Sequence, residues 1–116
     1  MKEIRRKELI VKKSKFISIL YEIDNEDDVK VILDTLKKEH PKARHMPYAY
    51  MVNGTARKSD DKEPHNTAGM QIYNILNYEK LDHHLIIVIR YFGGTLLGAG
   101  NLLRTYLAAA KSVVEK

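Results

Sequence analysis

Two segments and one basic stretch of this chain hold residue types that could do chemistry. The first is Arg90-Tyr91-Phe92-Gly93-Gly94-Thr95-Leu96-Leu97-Gly98-Ala99-Gly100. Glycine accepts positive φ and lets a ligand approach the backbone. Amides at a helix start point outward and favour an anion. Gly93, Gly94, Gly98 and Gly100 are therefore candidates for a phosphate or carboxylate cradle, with Arg90 or Arg104 as a second contact. No Lys-Ser/Thr follows the last glycine, so this is not a P-loop, and the spacing does not fit a dinucleotide fingerprint. The competing reading is architectural: the glycines only let the chain turn tightly and the helix pack close.

The second segment is Ser59-Asp60-Asp61-Lys62-Glu63-Pro64, ending in Thr67-Ala68-Gly69. Its carboxylates could bind a hard cation through oxygen or supply a general acid and base. It lacks the calcium-loop pattern, and the reading favoured over catalysis is a solvated acidic loop in which Thr67 caps the following helix. The basic stretch centres on Lys12, Lys13 and Lys15. Residues 1–15 hold seven cations against Glu3 and Glu8, which accounts for the whole net charge of +5. With Tyr21, Tyr48 and Tyr50 it could form a basic, aromatic face for RNA, or it could be a lysine-protected strand edge.

Other chemistries find little support. The absence of cysteine excludes a disulfide scaffold, a thiolate zinc site and a cysteine nucleophile. The five histidines, His40, His45, His65, His83 and His84, form no i, i+4 metal pair with a third ligand nearby in sequence. No Gly-x-Ser-x-Gly elbow occurs. The residues by themselves assign no catalytic residue, metal or cofactor. The longest apolar run, Leu85–Ile89, is far short of the ~20 residues of a membrane span. A charged N-terminus without an apolar stretch is no secretory signal. The expectation is a cytoplasmic protein that does not engage membranes, with its oligomeric state open.

These segments need a scaffold, and 116 residues with 44% hydrophobic and 30% charged side chains suit one globular domain, 1–116. Residues 8–23 alternate as two strands, or one strand bent at Lys12–Lys15. Asp24 or Asn25 caps a helix over 25–39, with acid in its first turn and base in its last. Tyr48, Tyr50 and Val52 mark a strand ending at Asn53-Gly54. Residues 55–69 read as a long polar loop, and Met70 to Leu76 as a short helix. Residues 84–91 read as a strand buried on both faces. Leu103, Tyr106, Leu107, Ala110, Val113 and Val114 form the apolar face of a final helix. The expected fold is α+β: a two-layer sandwich with a mixed sheet of about four strands and helices on one face.

The motifs also carry a resemblance. Lys13-Ser14-Lys15-Phe16-Ile17, His40-Pro41-Lys42-Ala43-Arg44-His45 and Tyr48-Ala49-Tyr50 are followed by the acidic segment through Gly69. Then come Arg90-Tyr91-Phe92-Gly93-Gly94-x-x-Leu97-Gly98-x-Gly100 and Leu103-Arg104-x-Tyr106. In this order they resemble the N-terminal domain of the IMPACT/YigZ family, also known as an uncharacterised protein family. The resemblance implies a ribosomal-protein-like fold with a left-handed βαβ crossover, shared by nucleic-acid-binding domains and by small-molecule kinases. It implies a non-catalytic binding or regulatory module in translation regulation, whose partner is a translation-related protein or RNA. The alternative is a small nucleotide- or phosphate-binding enzyme using loops 59–69 and 93–100. Lys62 and Asn66 stand where the family usually has glycine, and Pro47 where it has a small residue. Bacterial members usually carry a second, ferredoxin-like domain, which the resemblance leaves absent from 1–116.

Overall fold

The computed structural model describes residues 1–115. Its elements are β1 (Lys2–Val11), β2 (Ser14–Glu22), α1 (Glu26–Glu39), β3 (Tyr48–Val52), β4 (Thr55–Ser59), α2 (Gly69–Tyr78), β5 (His84–Tyr91) and α3 (Ala99–Val114). The α+β class stands, as a five-stranded sheet in the order β1-β2-β5-β3-β4 with three helices. All neighbouring strands pair antiparallel. The expected mixed sheet is thus corrected. The β-α-β order does make β2 and β3 parallel, but β5 lies between them and runs against both.

The expectation of helices on one face is also corrected. Leu85, Ile87 and Ile89 of β5 pack with Val29, Ile32 and Leu36 of α1. Ile86 and Val88 pack with Ile72 and Leu76 of α2 and with Leu102, Tyr106 and Val113 of α3. Alternation along a strand sends successive side chains to opposite faces, so a strand apolar at every position requires cover on both. Burying each such Ile, Leu or Val stabilises by roughly 1.5–3 kcal/mol.

The topology fixes a chirality. The crossover β2-α1-β3 passes over one face and β4-α2-β5 over the other. The second starts from a strand of opposite direction and moves the opposite way along the sheet. Reversing strand, displacement and face together reverses the hand, so one crossover is left-handed. That matches the expected left-handed βαβ unit, against the strong general preference for right-handed crossovers.

Local chemistry sets the element ends. Asn25 caps α1 by accepting the Asp28 amide at 3.2 Å. Lys12 and Lys13 have φ of 47° and 69°, which closes the β1–β2 hairpin through a tight turn of left-handed residues. Residues 55–59, expected to be loop, form the edge strand β4 on β3. Its Arg57 and Lys58 are exposed, so it lacks the apolar alternation that marks a buried strand.

Candidate functional site: one end of the sheet

Antiparallel order brings the unusual segments together. The end of β5 lies beside the β1–β2 turn, with Lys15 paired to Tyr91. His45, just before β3, bridges Arg90, and Ser59 at the end of β4 pairs with Tyr48. Helices α2 and α3 both begin after loops that leave this end. The acidic and glycine loops therefore converge, as the Arg90–Glu63 contact at 2.7 Å demonstrates directly.

The carboxylates of the acidic loop are committed to internal partners. Asp60 accepts the amides of Asn66, Ala68 and Gly69 at 3.0, 3.1 and 2.8 Å, so it closes the loop and caps α2. Thr67, the expected cap, instead donates its hydroxyl to the Pro64 carbonyl. Asp61 accepts the Met46 amide at 2.7 Å, while its own amide donates to Ser59 Oγ. Asp61, Lys62 and Asn66 have φ of 45°, 69° and 60°. The positions where the family usually has glycine are thus left-handed here, and Lys62 adopts that conformation at a steric cost. Gly69 is tightly enclosed: a Cβ there would lie 2.8 Å from the Ser59 backbone.

Glu63 is the centre of a buried polar group. Both its oxygens accept from Arg90 Nη1, at 3.0 and 2.7 Å, and it accepts a short hydrogen bond from the Tyr106 hydroxyl. His45 Nε2 lies 3.5 Å away, and its Nδ1 is 2.8 Å from the Asp61 carbonyl oxygen. Burial, reinforced by the Glu63 carboxylate, pushes the Tyr106 phenol far above its ordinary value. Tyr106 therefore stays a donor. Among the described residues, no group of three or more His, Asp or Glu is placed to hold a metal ion.

The glycines divide in role. Gly93 is where backbones meet, since a Cβ would fall 2.1 Å from the Lys13 carbonyl carbon. Its amide also donates to Ser14 Oγ at 3.2 Å. Gly94 and Gly98 have φ of 89° and 82° with open space where a Cβ would stand. Gly100 faces Arg104, which bonds Asn101 on the exposed side of α3. Beside this loop is a cavity of about 320 Å³, lined on one side by Arg44, His45, Lys62, Glu63 and Arg90 and on the other by Phe92 and Leu96–Ala99. Arg104 is outside it. Arg44 of its wall stands over the Phe92 ring, while Lys15 stands over the Tyr91 ring outside the cavity lining.

With that geometry in view, comparison with known proteins is direct. The family model described as the Impact N-terminal domain matches residues 12–114. This chain belongs to the IMPACT family. It is 36% identical to the IMPACT family member YvyE of Bacillus subtilis (strain 168) over 99% of its own length and 53% of the relative's. To the IMPACT family member YigZ of Escherichia coli (strain K12) it is 35% identical, over 83% of this chain and 50% of that protein. A crystal structure of a hypothetical protein superposes with a TM-score of 0.89 at 30% identity, covering 94% of this chain and 55% of that one. A structure of the two-domain translational regulator Yih1 superposes at TM-score 0.58 and 23% identity, covering 92% of this chain and 43% of that one, a likeness of fold. The chain thus spans about half the length of the curated relatives it matches. No helix among the described residues is long and apolar enough to cross a membrane.

Reading residues alone found Arg90, Glu63 and the glycines but not their pairing. Tyr106 fell on the apolar face of its helix, and nothing local marks a tyrosine as the partner of a carboxylate 43 positions away. His45 and Arg44 had only motif membership to single them out.

Proposed function

We propose that this chain is a non-catalytic binding module in translational control, and that it engages RNA through the basic end of its sheet. One observation carries the reading. The Lys13 backbone packs on Gly93, next to Phe92 of the cavity wall, so the lysine turn lies at the same end of the sheet as Arg44 and Lys62. Clustered cations beside tyrosine and phenylalanine faces suit a phosphate backbone with unpaired bases. Family membership supports a regulatory role, and the fold is shared with the translational regulator Yih1. The commitment of Asp60, Asp61 and Glu63 to internal partners weighs against the rival enzyme, which needs them on a cation or a substrate.

The test is retention of cellular RNA or ribosomes by the purified chain, with and without nuclease treatment. Retention lost on nuclease treatment, falling steeply with salt and weakened by joint neutralisation of Lys12, Lys13 and Lys15, supports the reading. Partners that survive nuclease and are insensitive to that triple change would point to a protein ligand instead.

A further inference from the structure

The sheet has two edges, β1 and β4, and they differ. The register of β1 on β2 shifts between Glu3 and Arg5, an irregularity of the kind that keeps an edge from pairing further. β4 pairs with β3 from Thr55 to Ser59 without a shift. We propose that the β4 edge takes up an extended acidic peptide segment as an added strand, seated in the groove between β4 and α2. The site is independent of the RNA reading, whose lysine turn joins β1 to β2 across the sheet.

The ladder fixes which backbone groups are free. The Val88 amide donates to the Pro47 carbonyl at 3.0 Å, and the Arg90 amide to the His45 carbonyl at 2.9 Å. Bonded residues alternate along an antiparallel strand. Ala49 and Met51 therefore bond β5, while Tyr48, Tyr50 and Val52 bond their β4 partners Ser59, Arg57 and Thr55. Ala56 and Lys58 are left with N–H and C=O groups pointing away from the sheet. Arg57 Nη1 donates to the Ala56 carbonyl at 3.1 Å, in agreement with that direction.

A groove runs beside this open edge. Ala56 and Lys58 pair with Met51 and Ala49, whose side chains lie on the α2 face. Between them and the half-buried Met70 and Tyr73 of α2 is a cavity of about 310 Å³. An edge with free backbone groups beside an apolar cleft is how strand addition works: the main chain gives affinity and the cleft selects alternate side chains.

Charge chooses the occupant. Arg57 and Lys58 are exposed and enter no ion pair among the described residues. No carboxylate lines the groove, and the first turn of α2 holds none. Opposite charges facing each other across a ladder attract, and like charges repel. A second copy of β4 would set these cations against cations, whereas an acidic segment neutralises them. Nucleic acid could meet the cations but brings no peptide backbone to the Ala56 and Lys58 edge. In antiparallel pairing, the segment places acids opposite Lys58 and Arg57 and an apolar residue opposite Ala56.

The experiment is an amide NMR titration of the whole chain with the capped hexapeptide Thr-Glu-Glu-Val-Thr-Val, against Thr-Lys-Lys-Val-Thr-Val. Saturable shifts and slowed hydrogen exchange at the Ala56 and Lys58 amides are expected with the acidic peptide alone. Arg57→Gln and Lys58→Gln, at exposed positions, should each weaken binding about two- to fivefold. Ala56→Pro removes an outward amide that no ladder bond uses, so it should abolish binding and keep the fold. A test that leaves the protein untouched is N-methylation of the peptide: at its second and fourth residues it should abolish binding, and at its third and fifth it should not. Equal binding of the lysine peptide, equal tolerance of both methylation patterns, or no saturable shift at millimolar peptide would overturn the proposal. So would the same amides responding to the chain's own concentration, which assigns the edge to a second copy, or to an oligoribonucleotide, which assigns it to nucleic acid. Lys12, Lys13 and Lys15 are intact throughout, so failure here leaves the RNA reading standing, and loss of RNA retention leaves the peptide result untouched.

Discussion

Replacing Glu63 with Gln would keep the side chain's shape but remove the charge that faces Arg90. Because both groups are buried, the orphaned guanidinium should cost about 3–5 kcal/mol of stability, read as a lowered chemical-denaturation midpoint. Tyr106→Phe removes one donor and leaves the ion pair, so its cost should be smaller, about 1–3 kcal/mol. Equal losses in the two variants would show that the ion pair is not the dominant element. Lys62 tests a different force. Its φ of 69° is strained for a side-chain-bearing residue, so Lys62→Gly should be neutral or stabilising by up to about 1 kcal/mol. Lys62→Val should destabilise, because a β-branched residue tolerates that conformation least. Thermal melts of the pair decide the matter, and a stable valine variant would contradict it.

Among the connecting elements, the glycine loop offers a contrast between neighbours. Gly93→Ala would drive a methyl into the Lys13 backbone at 2.1 Å, so the hairpin or the end of β5 must shift. It should be the most damaging single-methyl change in the loop, by several kcal/mol and on the scale of a severe core defect. Gly94→Ala meets no atom and pays only for its positive φ, about 1–2 kcal/mol. Comparable melting temperatures for the two variants would refute this division. The same logic applies to the start of α2. Asp60 holds three amides there, so Asp60→Ala should cost at least the ~1 kcal/mol of an ordinary cap and unfold the 60–68 loop before the sheet. Hydrogen exchange at Ala68 and Gly69 would report it.

For the molecule as a whole, the buried phenols set an alkaline limit. Burial, then the hydrogen bond to Glu26, pushes Tyr50 from 10.0 to about 12. Burial, then Glu3, pushes Tyr21 to about 12. Above pH 10 the unfolded chain loses phenolic protons that the folded chain keeps, so unfolding becomes easier with rising pH. The stabilisation is whole below pH 10 and is lost through about pH 12. Denaturant midpoints should fall over that window, and Tyr50→Phe should flatten the fall. A midpoint constant from pH 9 to 12 would contradict the assignment.

What could be read from sequence was what depends on near neighbours. The helix over 25–39 is set by its cap, its dipole-matched charges and the spacing of Val29, Ile32 and Leu36, all within one segment. The buried strand at 84–91 and the existence of the final helix are equally local, because period-2 and period-3.6 patterns need no partner to be seen, although the face that the helix buries runs through Leu102, Tyr106, Ala109 and Val113 and leaves Leu103 exposed. Left-handed backbone at Lys62 and Asn66 was foreshadowed by glycine in the family pattern. The tertiary structure decided the rest. Placing β5 between β2 and β3 turned an apparent mixed sheet antiparallel and sent α1 to the far face. The polar edge strand β4 exists only because β3 offers it hydrogen bonds. Glu63 and Arg90 are 27 residues apart, and Glu63 and Tyr106 are 43 apart. A charge pair across such spans leaves no local signature, since its energy arises only when folding removes both groups from water.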